Sequence, residues 1–126
     1  MYTIKTEDFN LQLTPGADSL MVDVRCDGFS GHACFDMEDF LIADFILQIK
    51  EMYENLEGSA KLQDLYETDG FIEFSAQKFG HILVRGKLVR MRQKLTQQIQ
   101  FEYELDQSYL KEFVMALAAG YSRYSE

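Results

Sequence analysis

Leu20-Met21-Val22-Asp23-Val24-Arg25-Cys26-Asp27-Gly28-Phe29-Ser30-Gly31-His32-Ala33-Cys34-Phe35 is the stretch that decides the fold. Asp27-Gly28 is a two-residue hairpin signal, because both residues tolerate the positive φ that the favoured turn requires. Counting outward from that turn sets Cys26 against Phe29, Val24 against Gly31, Val22 against Ala33 and Leu20 against Phe35. Each of these pairs is apolar or glycine. The other face sets Arg25 against Ser30, Asp23 against His32 and Met21 against Cys34. A slip of one residue would mix the two faces, so turn and pattern specify the same register.

The register has a chemical consequence. Cys26 and Cys34 fall on opposite faces of the sheet, too badly oriented for a disulfide. The same placement keeps Cys26, His32 and Cys34 from ligating one metal ion, and their spacing lacks the paired pattern of a zinc site. His32 is expected to pair with Asp23.

The alternation extends both ways. Phe9, Leu11 and Leu13 mark an earlier strand, joined to the hairpin by the turn Thr14-Pro15-Gly16-Ala17-Asp18. Downstream, Asp36 is an N-cap residue, and Glu38 and Asp39 put negative charge where a helix dipole favours it. Ile42, Phe45, Ile46, Ile49, Met52, Tyr53 and Leu56 recur at helical spacing, and Gly58 is expected to end the helix after Glu57. Its solvent side carries Glu51, Glu54 and Glu57, a charged face that solvation alone also explains.

A second run of strands follows. Lys61 to Tyr66 is a weak one, and Thr68-Asp69-Gly70 is a turn. Phe71 to Gln77 and His81 to Met91 are joined by Lys78-Phe79-Gly80, with Gly80 at the left-handed position. Ile99, Phe101, Tyr103 and Leu105 alternate with glutamines and glutamates in the clearest strand. Pairing sets Leu88 against Ile99, Val84 against Tyr103 and Ile82 against Leu105. Glu73, Arg85 and Glu102 then form a charged row on the opposite face, which cross-strand attraction accounts for without a ligand. Arg90 to Gln98 is a basic hairpin tip, too short to argue for nucleic acid. Asp106 caps a last helix with Leu110, Phe113, Val114 and Leu117 buried; Gly120 stops it, and Tyr121 to Glu126 is expected to fray.

The expected fold is therefore α+β, a single domain over residues 1–126. Two antiparallel meanders form one sheet of about six to seven strands, in the order β-β-β-α-β-β-β-β-α. Two amphipathic helices cover its apolar face.

Composition narrows the function. The chain has 126 residues, 21 Asp and Glu against 12 Lys and Arg, and a formal charge of −9. Such a balance disfavours nucleic acid, which calls for a basic face, and an anionic membrane surface. The first thirteen residues alternate and no apolar run approaches a membrane span, so a cytoplasmic protein without a secretory leader is expected. Two free cysteines fit that reducing compartment. No phosphate loop, nucleophile elbow or paired acid–base motif is present in the sequence, so neither a catalytic residue nor a cofactor or metal is expected.

The order of these motifs resembles a family. Val22-Asp23-Val24 leading to Gly28-Phe29-Ser30-Gly31, the helix after Asp36, Gly80-His81-Ile82-Leu83-Val84-Arg85-Gly86, and Phe101-Glu102-Tyr103-Glu104-Leu105-Asp106-Gln107-Ser108-Tyr109-Leu110 are similar to the WapI-type immunity proteins of bacterial polymorphic toxin systems and related small domains of unknown function. The Arg90–Gln98 hairpin and the N-terminal segment depart from the likeness. The resemblance implies a non-catalytic protein that binds and neutralises a cognate protein toxin. The acidity suits a basic toxin such as a nuclease, with Glu51, Glu54, Glu57, Glu73, Glu102 and Glu104 as candidate contacts. The alternatives left open are a homo-oligomer, such as a homodimer, and a small-ligand-binding domain.

Overall fold

A computed structural model of the chain describes residues 1–66 and 68–125. Four strands come first: β1 (Tyr2–Lys5), β2 (Phe9–Gly16), β3 (Ser19–Cys26) and β4 (Phe29–Asp36). Helix α1 (Asp39–Asn55) follows, then β5 (Ser59–Gln63), β6 (Phe71–Ala76), β7 (His81–Arg92) and β8 (Leu95–Asp106). A 3-10 turn leads into α2 (Lys111–Ala119) and a short α3 (Tyr121–Tyr124).

The strands form two antiparallel sheets, β1-β2-β3-β4 and β5-β6-β7-β8. This corrects the expected single sheet of six to seven strands and its element order. Each meander has one apolar face: Leu11, Leu13, Val22, Val24, Ala33 and Phe35 in the first, Ile72, Phe74, Ile82, Val84 and Leu105 in the second, all buried. The two helices are too short to cover both faces of that extent. The faces instead meet each other, β4 lying against β7, and bury both surfaces at once. Phe9 of the first sheet stacks on Tyr103 of the second. A Cβ on Gly31 would come within 2.3 Å of Ile99 and 3.3 Å of Leu88. Where the sheets diverge, α1 packs along β5 and β6, and α2 bridges α1 and β1. Phe74 is the centre of this layer, with its ring 5.9 Å from Phe45 of α1 and 5.8 Å from Phe113 of α2.

The registers agree with the sequence reading. Cys26↔Phe29, Asp23↔His32 and Leu20↔Phe35 pair across β3–β4. Ala76↔Ile82 and Phe74↔Val84 pair across β6–β7, and Val84↔Tyr103 across β7–β8. Gly80 is left-handed at φ 77°.

Several boundaries move. β1 adds a strand too short to show a period, with Ile4 as its one buried residue. The first turn tightens to Ala17-Asp18, since Gly16 still pairs with Ser19. Asp36 is a strand residue paired with Ser19 and does not cap α1; Met37 N–H donates to Asp18 O at 3.2 Å, and the helix starts two residues later. Leu56, left-handed at φ 53°, ends α1 before Gly58 does. The weak strand is Ser59–Gln63, not Lys61–Tyr66. Asp64 is buried and starts a loop, accepting from Tyr66 N–H at 3.2 Å and Thr68 Oγ1 at 3.0 Å. Asp106 accepts from Ser108 N–H at 2.9 Å and so caps the 3-10 turn before α2. That bond holds its carboxyl below the usual range. The tail expected to fray is tied down: Tyr124 of α3 is buried and its hydroxyl meets that of Tyr2 at 3.3 Å. Glu126 of that segment lies outside the described residues.

Candidate functional site

Glu51 and Glu54 stand on the exposed side of α1, because the buried stripe of Ile42, Phe45, Ile46, Ile49 and Met52 turns the opposite side to the core. Glu57 lies beyond the helix, where left-handed positions on either side of it, Leu56 and Gly58, swing the chain toward β5. The result is a groove of about 350 Å³ lined by Gln48, Glu51, Asn55 and Glu57 among others. Gln48 fixes its floor, accepting from Lys61 N–H at 3.2 Å and donating to Asp44 at 2.7 Å. Glu51 and Glu57 make no ion pair among the described residues. Glu54 lies outside the groove and faces Lys50 at 3.9 Å.

The other candidates stand on the outer face of the second sheet. Register aligns Lys61, Glu73, Arg85 and Glu102 in one row of alternating sign. Arg85 meets Glu73 at 3.2 Å, and Glu104 faces His81 at 3.4 Å. Such half-exposed pairs are worth at most about 1 kcal/mol each. Arg85, between Glu73 and Glu102, cancels much of the local field of those two carboxylates. The candidates therefore stand on two separate surfaces: Glu51 and Glu57 share a groove, while Glu73 and Glu102 flank Arg85 on another face.

A third surface has a weaker sequence signal, only the polar half of the alternation in β2, β3 and β4. On the outer face of the first sheet, Asn10, Gln12, Asp23, Arg25, Ser30 and His32 line an open dent of about 390 Å³. Asp23 Oδ1 holds His32 Nδ1 at 2.5 Å, the pairing the register predicts. Asn10 Oδ1 is buried there without a hydrogen-bond partner. Ser30 stands two residues before His32 on the same face, yet no hydrogen bond joins them among the described residues. Among those residues no group of three or more His, Cys, Asp or Glu side chains is placed to hold a metal ion. Among the described residues no helix is long and apolar enough to cross a membrane.

The two sheets bury their apolar faces against each other and turn charged outer faces and open grooves outward. The chain belongs to the WapI-like immunity protein family, whose model matches residues 5–125. No curated protein and no solved structure matches the chain.

Proposed function

We propose that the protein acts in the bacterial cytoplasm as a non-catalytic inhibitor that binds and neutralises a cognate protein toxin. The observation that carries this reading is the family match over residues 5–125, nearly the whole chain. Charge supports the kind of partner. At −9 the protein attracts a basic protein such as a nuclease, and complementary fields speed encounter and set orientation.

The proposed contacts are Glu51, Glu54 and Glu57 on the α1 side, and Glu73, Glu102 and Glu104 on the second sheet. The α1 groove ranks first because Glu51 and Glu57 make no ion pair among the described residues. Inhibition of this kind requires no bond to break in the inhibitor, only complementary surface with a few anchor residues.

The test is growth protection. Cells express the toxin domain encoded beside this gene, with or without this protein. Survival only with it, together with a stable co-purified complex, is the expected result. Toxin-expressing cells that die equally in both cases, with both proteins folded, would overturn the reading.

A further inference from the structure

Residues 74–101 contain no aspartate or glutamate but carry Lys78, Arg85, Lys87, Arg90, Arg92 and Lys94, in a chain of net charge −9. Arg85 and Lys87 are neutralised within the sheet, by Glu73 at 3.2 Å and Asp69 at 2.6 Å. Arg90, Arg92 and Lys94 make no ion pair among the described residues.

These three cations sit on a projection. β6 stops pairing with β7 at Phe71↔Lys87, whereas β7 and β8 pair on to Arg92↔Leu95. From Arg90 to Gln98 the ribbon is two strands wide, turns at left-handed Gln93 (φ 57°), and every residue is exposed. Alternation puts Arg90 and Arg92 on the face that carries Leu88 and Ile99 nearer the body, so this face looks toward the tip of the β3–β4 hairpin. There Cys26, Phe29, Ile99 and Phe101 line a largely apolar crevice of about 280 Å³, with Gln98 and Gln100 at its polar side. Phe29 at its lip is 73% exposed and Leu95 at the ribbon tip equally so. Uncompensated cations beside an open apolar crevice are the reverse of the acidic surface elsewhere on the molecule.

We propose that this arm is the anchor of the inhibitory complex: it enters a concave, carboxylate-lined cleft of the toxin, with Arg90, Arg92 and Lys94 on the carboxylates and an apolar toxin side chain in the Phe29–Ile99 crevice. The inference rests on the immunity reading and names the surface by which it works. A convex ribbon fits a cleft, and its charge selects an acidic one. A nucleic-acid hydrolase has both kinds of surface, a basic rim for phosphates and carboxylates that hold its metal ion. The acidic body faces the first and the arm reaches the second.

Other occupants fit less well. Three cations on a chain of −9 give a phosphate backbone little to hold. A second copy would offer Glu51 and Glu57, but that groove opens beside Ser59, in the row of Leu83 and Glu104. Nine residues of strand separate that row from Arg92, roughly 30 Å. A pair of copies joined arm to groove would have to bridge that distance twice, and self-association of the wild type is the result that would reveal it.

The experiment uses the toxin domain of the protection assay and three variants of the full chain: Arg90→Glu/Arg92→Glu/Lys94→Glu, Phe29→Ala and Glu51→Lys/Glu57→Lys. All positions are exposed, and unchanged melting temperatures check that each variant folds. The arm reversal is expected to weaken binding at least 100-fold and abolish protection, and Phe29→Ala to weaken it about tenfold through faster dissociation. The groove reversal should change mainly the association rate. An arm variant that binds and protects like the wild type overturns the proposal while leaving the immunity reading intact. So does an arm variant that retains toxin binding but loses oligonucleotide binding or self-association shown by the wild type. A wild type that neither binds nor protects overturns the immunity reading itself, and the arm's role with it.

Discussion

Phe9 of β2 and Tyr103 of β8 stack with ring centroids 4.4 Å apart and planes 9° apart, joining the two sheets. The Tyr103 hydroxyl also bonds Thr6 Oγ1 at 2.9 Å and the Asp8 carboxylate, and the Asp8 bond raises its pKa above the usual phenol value. Tyr103→Ala removes the stack and the bonds together and should cost roughly 3 kcal/mol, the range for large-to-small changes at packed aromatics. Tyr103→Phe keeps the stack and should cost about 1 kcal/mol. Urea unfolding of both variants checks the split; equal losses would mean that the ring contributes nothing across the sheets.

Gly86 lies directly opposite Phe101, and a Cβ there would stand 2.4 Å from its ring and 2.9 Å from Ile72. Gly86→Ala should therefore destabilise by about 1–3 kcal/mol through overpacking. In a Phe101→Leu background the added methyl finds more room and should cost less. A double-mutant cycle measures that coupling.

Burial, and then the bond to Tyr2, pushes the Tyr124 phenol from its ordinary 10.0 up to about 12. A free chain loses that proton near pH 10 while the folded protein holds it, so the unfolded state binds fewer protons in that window. The stabilisation is complete below pH 10 and is lost as pH rises through 12. Wild type should thus lose stability more steeply than Tyr124→Phe between pH 10 and pH 12, a difference read from unfolding curves at stepped pH.

Asp64 is buried at 1% exposure and organises the loop before β6. Asp64→Ala leaves Tyr66 N–H and the Thr68 hydroxyl without this acceptor. A loss of about 1–3 kcal/mol is expected. Hydrogen exchange should report it as faster exchange of the Tyr66 and Gly70 amides.

Reversing Glu51 and Glu54 to lysine should slow association with a basic toxin, with the difference shrinking as salt rises. Reversing Glu102 and Glu104 should have less effect, because Arg85 stands directly opposite Glu102 and already offsets its charge. Stopped-flow association at two salt concentrations checks the order; unchanged rates for both double variants would remove the electrostatic steering.

Much of the local structure was legible. Asp27-Gly28 and Gly80 announced their turns because glycine accepts the positive φ found at Gly28 and Gly80. The pairings of Val22 with Ala33 and of Val84 with Tyr103 followed from strict alternation around them. The pairing of Asp23 with His32 came with the register. Less legible were elements whose signal depends on distant partners. Tyr124 read as part of a polar tail because nothing nearby in sequence shows that Tyr2 and α1 cover it. Leu65 and Tyr66 read as strand residues, but Asp64 takes the chain out of the sheet before them. The arm's charge was visible, whereas its projection beyond β6 was not.

The sequence by itself determined which side of every long strand is apolar, the hairpin registers, the helix stripes and the family likeness. These depend on periods of two and 3.6 residues and on turn chemistry, all local. Only the tertiary structure decided that the two apolar faces close on each other, that Glu51 and Glu57 share a groove, and that a cationic ribbon projects beyond β6. Alternation states that a face must leave water without stating what will cover it. That choice is made by burying the most apolar area with the least chain left over, which only the assembled molecule settles.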